Sequence, residues 1–160
     1  MTRSYAWGPT HQRVVDFVPQ GHWKTLTFVA ALGWDGLVAP TVVDGPMNGD
    51  TFVAYVEQQL VRVLRPGHIV VMDNLRPHYR LGVRTAIEAV GAELRYLPPY
   101  SPDLNPIEMA FAKIKGELRR RELRSIPAVE AAFGECPDGF TPRECRNFFR
   151  HCGYKTLQIQ

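Results

Sequence analysis

Two acidic residues stand out by what surrounds them. Asp73 closes the apolar run "HIVVMD", and Glu108 closes "YLPPYSPDLNPIE", a stretch with four prolines in thirteen residues. In open α/β sheets, side chains at the carboxyl ends of strands emerge from the core into a crevice, where sites form. "DN" after a strand is also ordinary turn chemistry. Glu108 has two readings as well. Asn105-Pro106-Ile107-Glu108 fits a capping box, in which the glutamate reaches back to the N-cap amide. The same position lies at the positive end of a helix dipole, which keeps a carboxylate ionised as a divalent cation requires. A side chain bonded to the cap is not aimed at a metal, so the two roles compete. Taken together, both carboxylates follow a strand, and a sheet can bring them to one edge. Oxygen donors in such a cleft favour Mg²⁺ or Mn²⁺ over Zn²⁺. Two such ions about 3.5–4 Å apart clamp the attacking and leaving oxygens of an in-line phosphoryl displacement.

Positioning that pair requires a sheet and rigid connectors. "HWKTLTFVAAL" and "LVAPTVVDG" flank the turn signal "GWDG", so Trp23–Leu32 and Leu37–Val43 read as an antiparallel hairpin. "NGDTFVAYVEQQLVRVLRPG" places Val53, Val56, Leu60, Val63 and Leu64 on one helical face, with Asn48 or Asp50 as cap and Pro66–Gly67 as stop. His68–Met72 is a short continuous apolar run, the pattern of a strand buried on both faces. A helix through "LGVRTAIEAVG" and a strand "AELRYLP" follow. Prolines 98, 99, 102 and 106 forbid helix or central strand between that strand and Glu108, because each lacks an amide donor and fixes its own φ. Beyond them a helix begins at Asn105–Pro106 with the stripe Ile107, Phe111, Ile114 and Leu118. A further helix starts near Pro127, and another opens with the capping box Thr141–Glu144 and closes before Gly153. This order describes a mixed α/β sheet domain.

The 160 residues suit one compact domain, and the 45% hydrophobic and 22% charged content is that of an ordinary globular protein. No apolar run approaches the roughly 18–20 residues of a membrane span, and the N-terminus carries no secretory h-region. Cys136, Cys145 and Cys152 cannot all pair and form no C-x-x-C, which favours free thiols over a metal site built from Cys145, His151 and Cys152. Net charge is only +3, but "KIKGELRRRELR" concentrates Lys113, Lys115, Arg119, Arg120, Arg121 and Arg124 against Glu117 and Glu122. Such a run is either a solvated face laced with i,i+4 pairs or a ridge that contacts phosphates. Lys115 and Arg119 share a helix side with Glu108, where a nucleic-acid backbone would have to run.

"VVMDNLRPH" followed by "LPPYSPDLNPIEMAFAKIK" resembles the catalytic core of DDE transposases of the mariner and bacterial insertion-sequence superfamily. The spacing agrees, since 108 − 73 = 35 leaves 34 residues between the two acids. "GHWKTLTFVAAL", "VVDGPMNGDTF" and "FTPRECRNFFRHCGY" extend the resemblance over nearly the whole chain. It implies an RNase H-like fold and two-metal (Mg²⁺ or Mn²⁺) cleavage and strand transfer of transposon DNA. Asp73 matches the second catalytic aspartate and Glu108 the last acidic ligand. Asn74 and His78 match the "DN…H" pattern, in which either positions the strand or DNA or simply shapes the turn. Lys113, Lys115, Arg119 and Arg120 become candidates for the DNA backbone. The implied partners are transposon ends and target DNA, with a homodimer or a full-length transposase, in a bacterial cytoplasm, at the nucleoid when DNA-bound.

The family's first aspartate should end a strand upstream of the hairpin. Asp16, Asp35, Asp44 and Asp50 are the acids before Asp73. Asp35 falls in the hairpin turn, Asp44 after the second strand and Asp50 at a helix start, which leaves Asp16 in "RVVDFV" as the least unsuitable. The expectation is therefore one partial catalytic domain over 1–160, without the family's first strand, first aspartate and upstream helix-turn-helix region. Such a polypeptide should be inactive alone: either part of an enzyme divided between reading frames, or a non-catalytic remnant that binds DNA or a full-length transposase.

Overall fold

A computed structural model describes residues 7–11, 13, 15, 24–123 and 125–155. Asp16 and Arg124 lie outside the described residues.

Strands β1 (Leu26–Leu32) and β2 (Leu37–Asp44) form the antiparallel hairpin, with Leu32 opposite Leu37 and a register irregularity between Val29 and Ala31. The turn closes through the Gly33 amide and the Gly36 carbonyl at 2.8 Å. Alternation along β1 serves two cores, as a pleated strand covered on both faces must. Phe28, Ala30 and Leu32 face one apolar cluster, while Val29 and Ala31 pack against another.

Helix α1 (Gly49–Gln58) is capped by the Asn48 side chain, which accepts from the Thr51 amide at 2.9 Å. It ends earlier than the apolar spacing predicts. A 3₁₀ turn over Leu60–Arg62 takes over, and its tighter pitch rotates Val63 to the surface. Strand β3 (Ile69–Met72), helix α2 (Leu81–Ala89) and strand β4 (Glu93–Tyr96) form a parallel βαβ unit, with Met72 opposite Tyr96. Val56 of α1 and Val83 and Ile87 of α2 are fully buried over Met72 and Leu94. Each such side chain contributes about 1.5–3 kcal/mol.

β3 corrects a second expectation, because it is not buried on both faces. Val70 and Met72 face α1 and α2, but Ile69 is 52% and Val71 38% exposed. A continuous apolar run reports the composition of a strand, not which of its faces finds a covering layer. Among the described residues the strands make two two-stranded sheets, β1–β2 and β3–β4, with no hydrogen bonds joining them.

The second core lies on the other side of the hairpin. Helix α3 (Ile107–Arg121) buries Ala110, Ile114 and Leu118 there, with Ile107 and Phe111 partly covered, as its stripe requires. α4 (Ile126–Glu135) and α5 (Pro142–His151) complete it with Phe133, Phe140 and Cys145. Ser125 caps α4 and Thr141 caps α5 through side-chain oxygens. Cys136, Cys145 and Cys152 are free, and burial raises all three thiol pKa values. Among the described residues no group of three His, Cys, Asp or Glu is gathered as metal ligands would be, Cys145, His151 and Cys152 included. Nor is any helix among them long and apolar enough to cross a membrane.

Candidate active site

The parallel pairing of β3 and β4 puts their carboxyl ends at one edge. The Leu97 amide still bonds the Met72 carbonyl at 2.8 Å, so the residues that follow, Asp73 and Pro98, leave the sheet side by side. A cleft of about 390 Å³ opens there, lined by Asp73, Asn74, Leu75, the 97–102 loop, Asn105 and Glu108. The two carboxylates singled out by sequence thus face one cavity. Asp35, Asp44 and Asp50 do not line it. Asp35 instead pairs with Arg146 at 2.7 Å, and Asp50 lies 3.6 Å from Arg80.

The competition over Glu108 is decided by its neighbours. Asn105 is extended (φ −107°, ψ 98°) and Pro106 already helical, so the backbone places Asn105 at the cap, and its carbonyl accepts from the Glu108 amide at 3.2 Å. No capping box forms. The Asn105 amide is taken by the Pro102 carbonyl at 3.0 Å, inside a 3₁₀ turn over Pro102–Leu104. With that donor occupied, the exposed Glu108 carboxylate has no hydrogen-bond or ionic partner among the described residues. The proline loop therefore removes the reason for Glu108 to turn back.

Asp73 is held on one side only. Its Oδ1 accepts from the Leu75 amide at 3.2 Å and lies 2.7 Å from His78 Nδ1. The same nitrogen is 3.2 Å from the Asp73 carbonyl oxygen. Both neighbours are acceptors, so Nδ1 carries the proton. Asp73 Oδ2 has no protein partner among the described residues and remains available toward the cleft. His78 is itself fixed, with its ring 4.4 Å from Phe52 and its carbonyl bonded by the Tyr96 hydroxyl at 2.7 Å.

Asn74 ties the two strand ends together. Its Nδ2 donates to the Leu97 carbonyl at 2.5 Å, and its Oδ1 accepts from the Tyr79 hydroxyl. Tyr79 stacks on Tyr96 at 4.4 Å, so one network joins the loop after β3 to β4. The far end of the proline loop is anchored by the Tyr154 hydroxyl on the Leu104 carbonyl at 2.9 Å. These aromatic contacts were not legible in the sequence, where tyrosines near a strand end carry no more signal than core residues do.

The basic run divides. Lys113 bonds the Gly139 carbonyl and the Glu144 carboxylate, at 2.6–2.7 Å, and sits 4.7 Å over the Phe140 ring. Arg120 pairs with Glu117, while Arg121 pairs with both Glu117 and Glu135. The hydrogen bond from Arg121, with Arg120 beside it, holds the Glu117 carboxyl below the usual range. Lys115 and Arg119 are exposed and have no partner among the described residues. They are the two that continue the line of Glu108 along α3.

A hairpin, a βαβ unit and α-helices on both sides define an RNase H-like domain, and its sheet edge carries a two-carboxylate cleft. The family model described as DDE superfamily endonuclease matches residues 1–130, and the chain belongs to that family. Its fold is that of a mariner-type transposase catalytic domain. It is similar to the Mos1 mariner transposase in a paired-end complex with Mn (TM-score 0.73, 19% identity, 94% of this chain and 47% of that one). The Mos1 strand transfer complex is similar at TM-score 0.70 and 18% identity, over 96% of this chain and 46% of that one. The human histone-lysine N-methyltransferase SETMAR is 35% identical over 78 residues, which are 48% of this chain and 11% of SETMAR. The chain thus spans about half the length of these solved chains, and the stretch matched in SETMAR is a small part of that protein.

Proposed function

We propose that this chain is the catalytic domain of a DNA transposase, in which Asp73 and Glu108 hold divalent cations for cleavage and strand transfer at transposon ends. The observation that carries this reading is the convergence of the two carboxylates on one cleft, each with oxygens that no group among the described residues occupies. An all-oxygen donor set suits Mg²⁺ or Mn²⁺ in kind. When bound, such ions supply Lewis-acid stabilisation of charge on the phosphoryl oxygens. The chain's own residues do the positioning. His78 fixes the rotamer of Asp73, Asn74 locks the ends of β3 and β4 together, and the proline loop presents Glu108. Lys115 and Arg119 lie where the DNA backbone leaves the site. Residues 1–160 act as one domain, working on DNA as a homodimer or together with a full-length transposase.

Two carboxylates offset less of the charge of two dications than three would. The described residues bring no third acid to the cleft, and this favours a second reading: the 160-residue polypeptide alone binds DNA or a transposase without cutting. We expect Mn²⁺ titration of the polypeptide by calorimetry to give weak binding that Asp73→Asn or Glu108→Gln removes, and DNA incubated with it to stay intact. Supplying a further strand-end aspartate to the cleft from a second polypeptide should produce nicking if the enzyme reading holds. Nicking by the polypeptide alone, abolished by Asp73→Ala, would overturn the expected inactivity. Mn²⁺ binding unaffected by either substitution would overturn the site.

A further inference from the structure

The loop that presents Glu108 also presents an aromatic ring. Tyr100 is fully exposed, lines the cleft with Asp73 and Glu108, and makes no hydrogen bond or ring contact among the described residues. Its backbone is left-handed, with φ of +56°. Proline followed by a positive-φ residue is the pattern of a type II turn, whose second central position favours glycine or asparagine. A bulky residue there is an outlier, and the loop holds it although the ring makes no hydrogen bond or ring contact among the described residues. The display is rigid: prolines stand at 98, 99 and 102, Ser101 Oγ bonds the Pro99 carbonyl at 3.3 Å, and Tyr154 anchors Leu104. Leu75, 58% exposed, lines the same cleft on the loop after β3.

We propose that Tyr100 is a stacking platform for a base of the DNA strand held at the Asp73–Glu108 cleft, with Leu75 as a second apolar contact, so that the loop sets the position of the strand as well as that of Glu108. This rests on the transposase reading above. An exposed aromatic beside a phosphate-handling site suits a nucleobase, because every base offers a π face whatever its sequence. A protein partner covering Tyr100 and the cleft would have to bring its own cations to both carboxylates, since a buried carboxylate left unpaired is strongly unfavourable. A nucleic-acid strand reaches the same place with its phosphate beside the cations and its base on the ring. Tyr100 is then a positioning residue, not one that takes part in bond exchange.

The test uses the 160-residue chain and a short single-stranded oligonucleotide carrying 2-aminopurine, in Ca²⁺. The wild type should quench the fluorophore at one position, and Tyr100→Phe should preserve that quenching. Tyr100→Ala and Tyr100→Gly should lose it and weaken binding about 5- to 150-fold, the range of one base–aromatic stack. Tyr100→Gly also separates this role from a structural one. Glycine relieves the left-handed strain, so its Tm should stay level or rise while DNA affinity falls. Lys115→Ala with Arg119→Ala should weaken binding yet leave the quenching at saturation. Equal DNA binding by wild type and Tyr100→Ala, with Lys115 and Arg119 still required, would overturn the platform and leave the transposase reading standing. A loss of self-association in Tyr100→Ala without change in DNA binding would assign the ring to a protein contact and overturn it too. Absence of any DNA binding by the wild type would overturn both.

Discussion

At the scale of single residues, the candidate site is built by denying partners. Glu108 is left open because Pro102 has already taken the amide it would cap, and Asp73 because His78 and Leu75 engage one carboxylate oxygen. The support behind His78 continues inward: Phe52 contacts its ring, and Tyr55 lies 5.8 Å from Phe52. Tyr55 departs from this pairing, since its hydroxyl, like that of Thr41, is buried with no hydrogen-bond partner among the described residues. Burial pushes its phenol well above the ordinary tyrosine range. An unpaired buried hydroxyl is unfavourable by about 1–3 kcal/mol, whereas the ring alone is good core material. Tyr55→Phe should therefore raise stability by about 1 kcal/mol in urea denaturation. The gap should widen with alkali. Below roughly pH 10 the phenol is neutral in both states, but above it the unfolded chain loses the proton that the folded chain keeps. The wild type then loses stability as pH rises, and the phenylalanine variant lacks that contribution. A gap that closes above that pH would refute the assignment.

At the scale of elements, the charged helix shows how much of the site was legible and where legibility ended. The caps, the turns and the stripe of α3 were readable because they depend on neighbours three or four residues away. So was the convergence of Asp73 and Glu108, because a parallel strand pair has one carboxyl edge. The partition of the basic run was not readable. Lys113 is satisfied by Glu144 and Gly139, 31 and 26 residues away in the chain, and by the ring of Phe140. The Thr141 cap hides the same fact from the other side: Thr141 accepts from the Glu144 amide as a capping box requires, yet the Glu144 carboxylate turns to Lys113. Two lysines on one helix should consequently behave in opposite ways. Lys113→Met should lower stability by about 1–2 kcal/mol, as the sum of an ion pair and a cation–π contact, and leave the salt dependence of DNA binding unchanged. Lys115→Met should alter stability by less than about 0.5 kcal/mol and reduce the slope of log affinity against log salt by about 1. Thermal melts and a salt titration on the same two proteins check both halves. A Lys113→Met variant with the reduced slope would return the run to a single phosphate ridge.

At the scale of the whole molecule, the two cores meet at the hairpin, and the weak point is the parallel pair. A two-stranded sheet is marginal without a covering layer on at least one face. β3–β4 has that layer in α1 and α2, but its other face carries Ile69 and Val71 exposed, and β3 pairs only with β4 among the described residues. A strand with one free edge and apolar side chains on the open face is a template for another strand. The sequence pattern of β3, apolar at every position, is that of a strand meant to be enclosed; the described residues leave the enclosure unfinished. The 160-residue polypeptide should therefore self-associate with increasing concentration in sedimentation velocity. Ile69→Lys should suppress this, because a charge on the open face opposes pairing while Val70 and Met72 keep the buried face intact. Since Ile69 is half exposed already, the change should shift Tm by only a few degrees. Val70→Lys is the contrast: it sits on the face packed against α1 and α2 and should unfold the domain instead of dispersing it. If the wild type remains monomeric at every concentration, or Ile69→Lys destabilises as Val70→Lys does, the open face is covered within the molecule and this account of β3 fails.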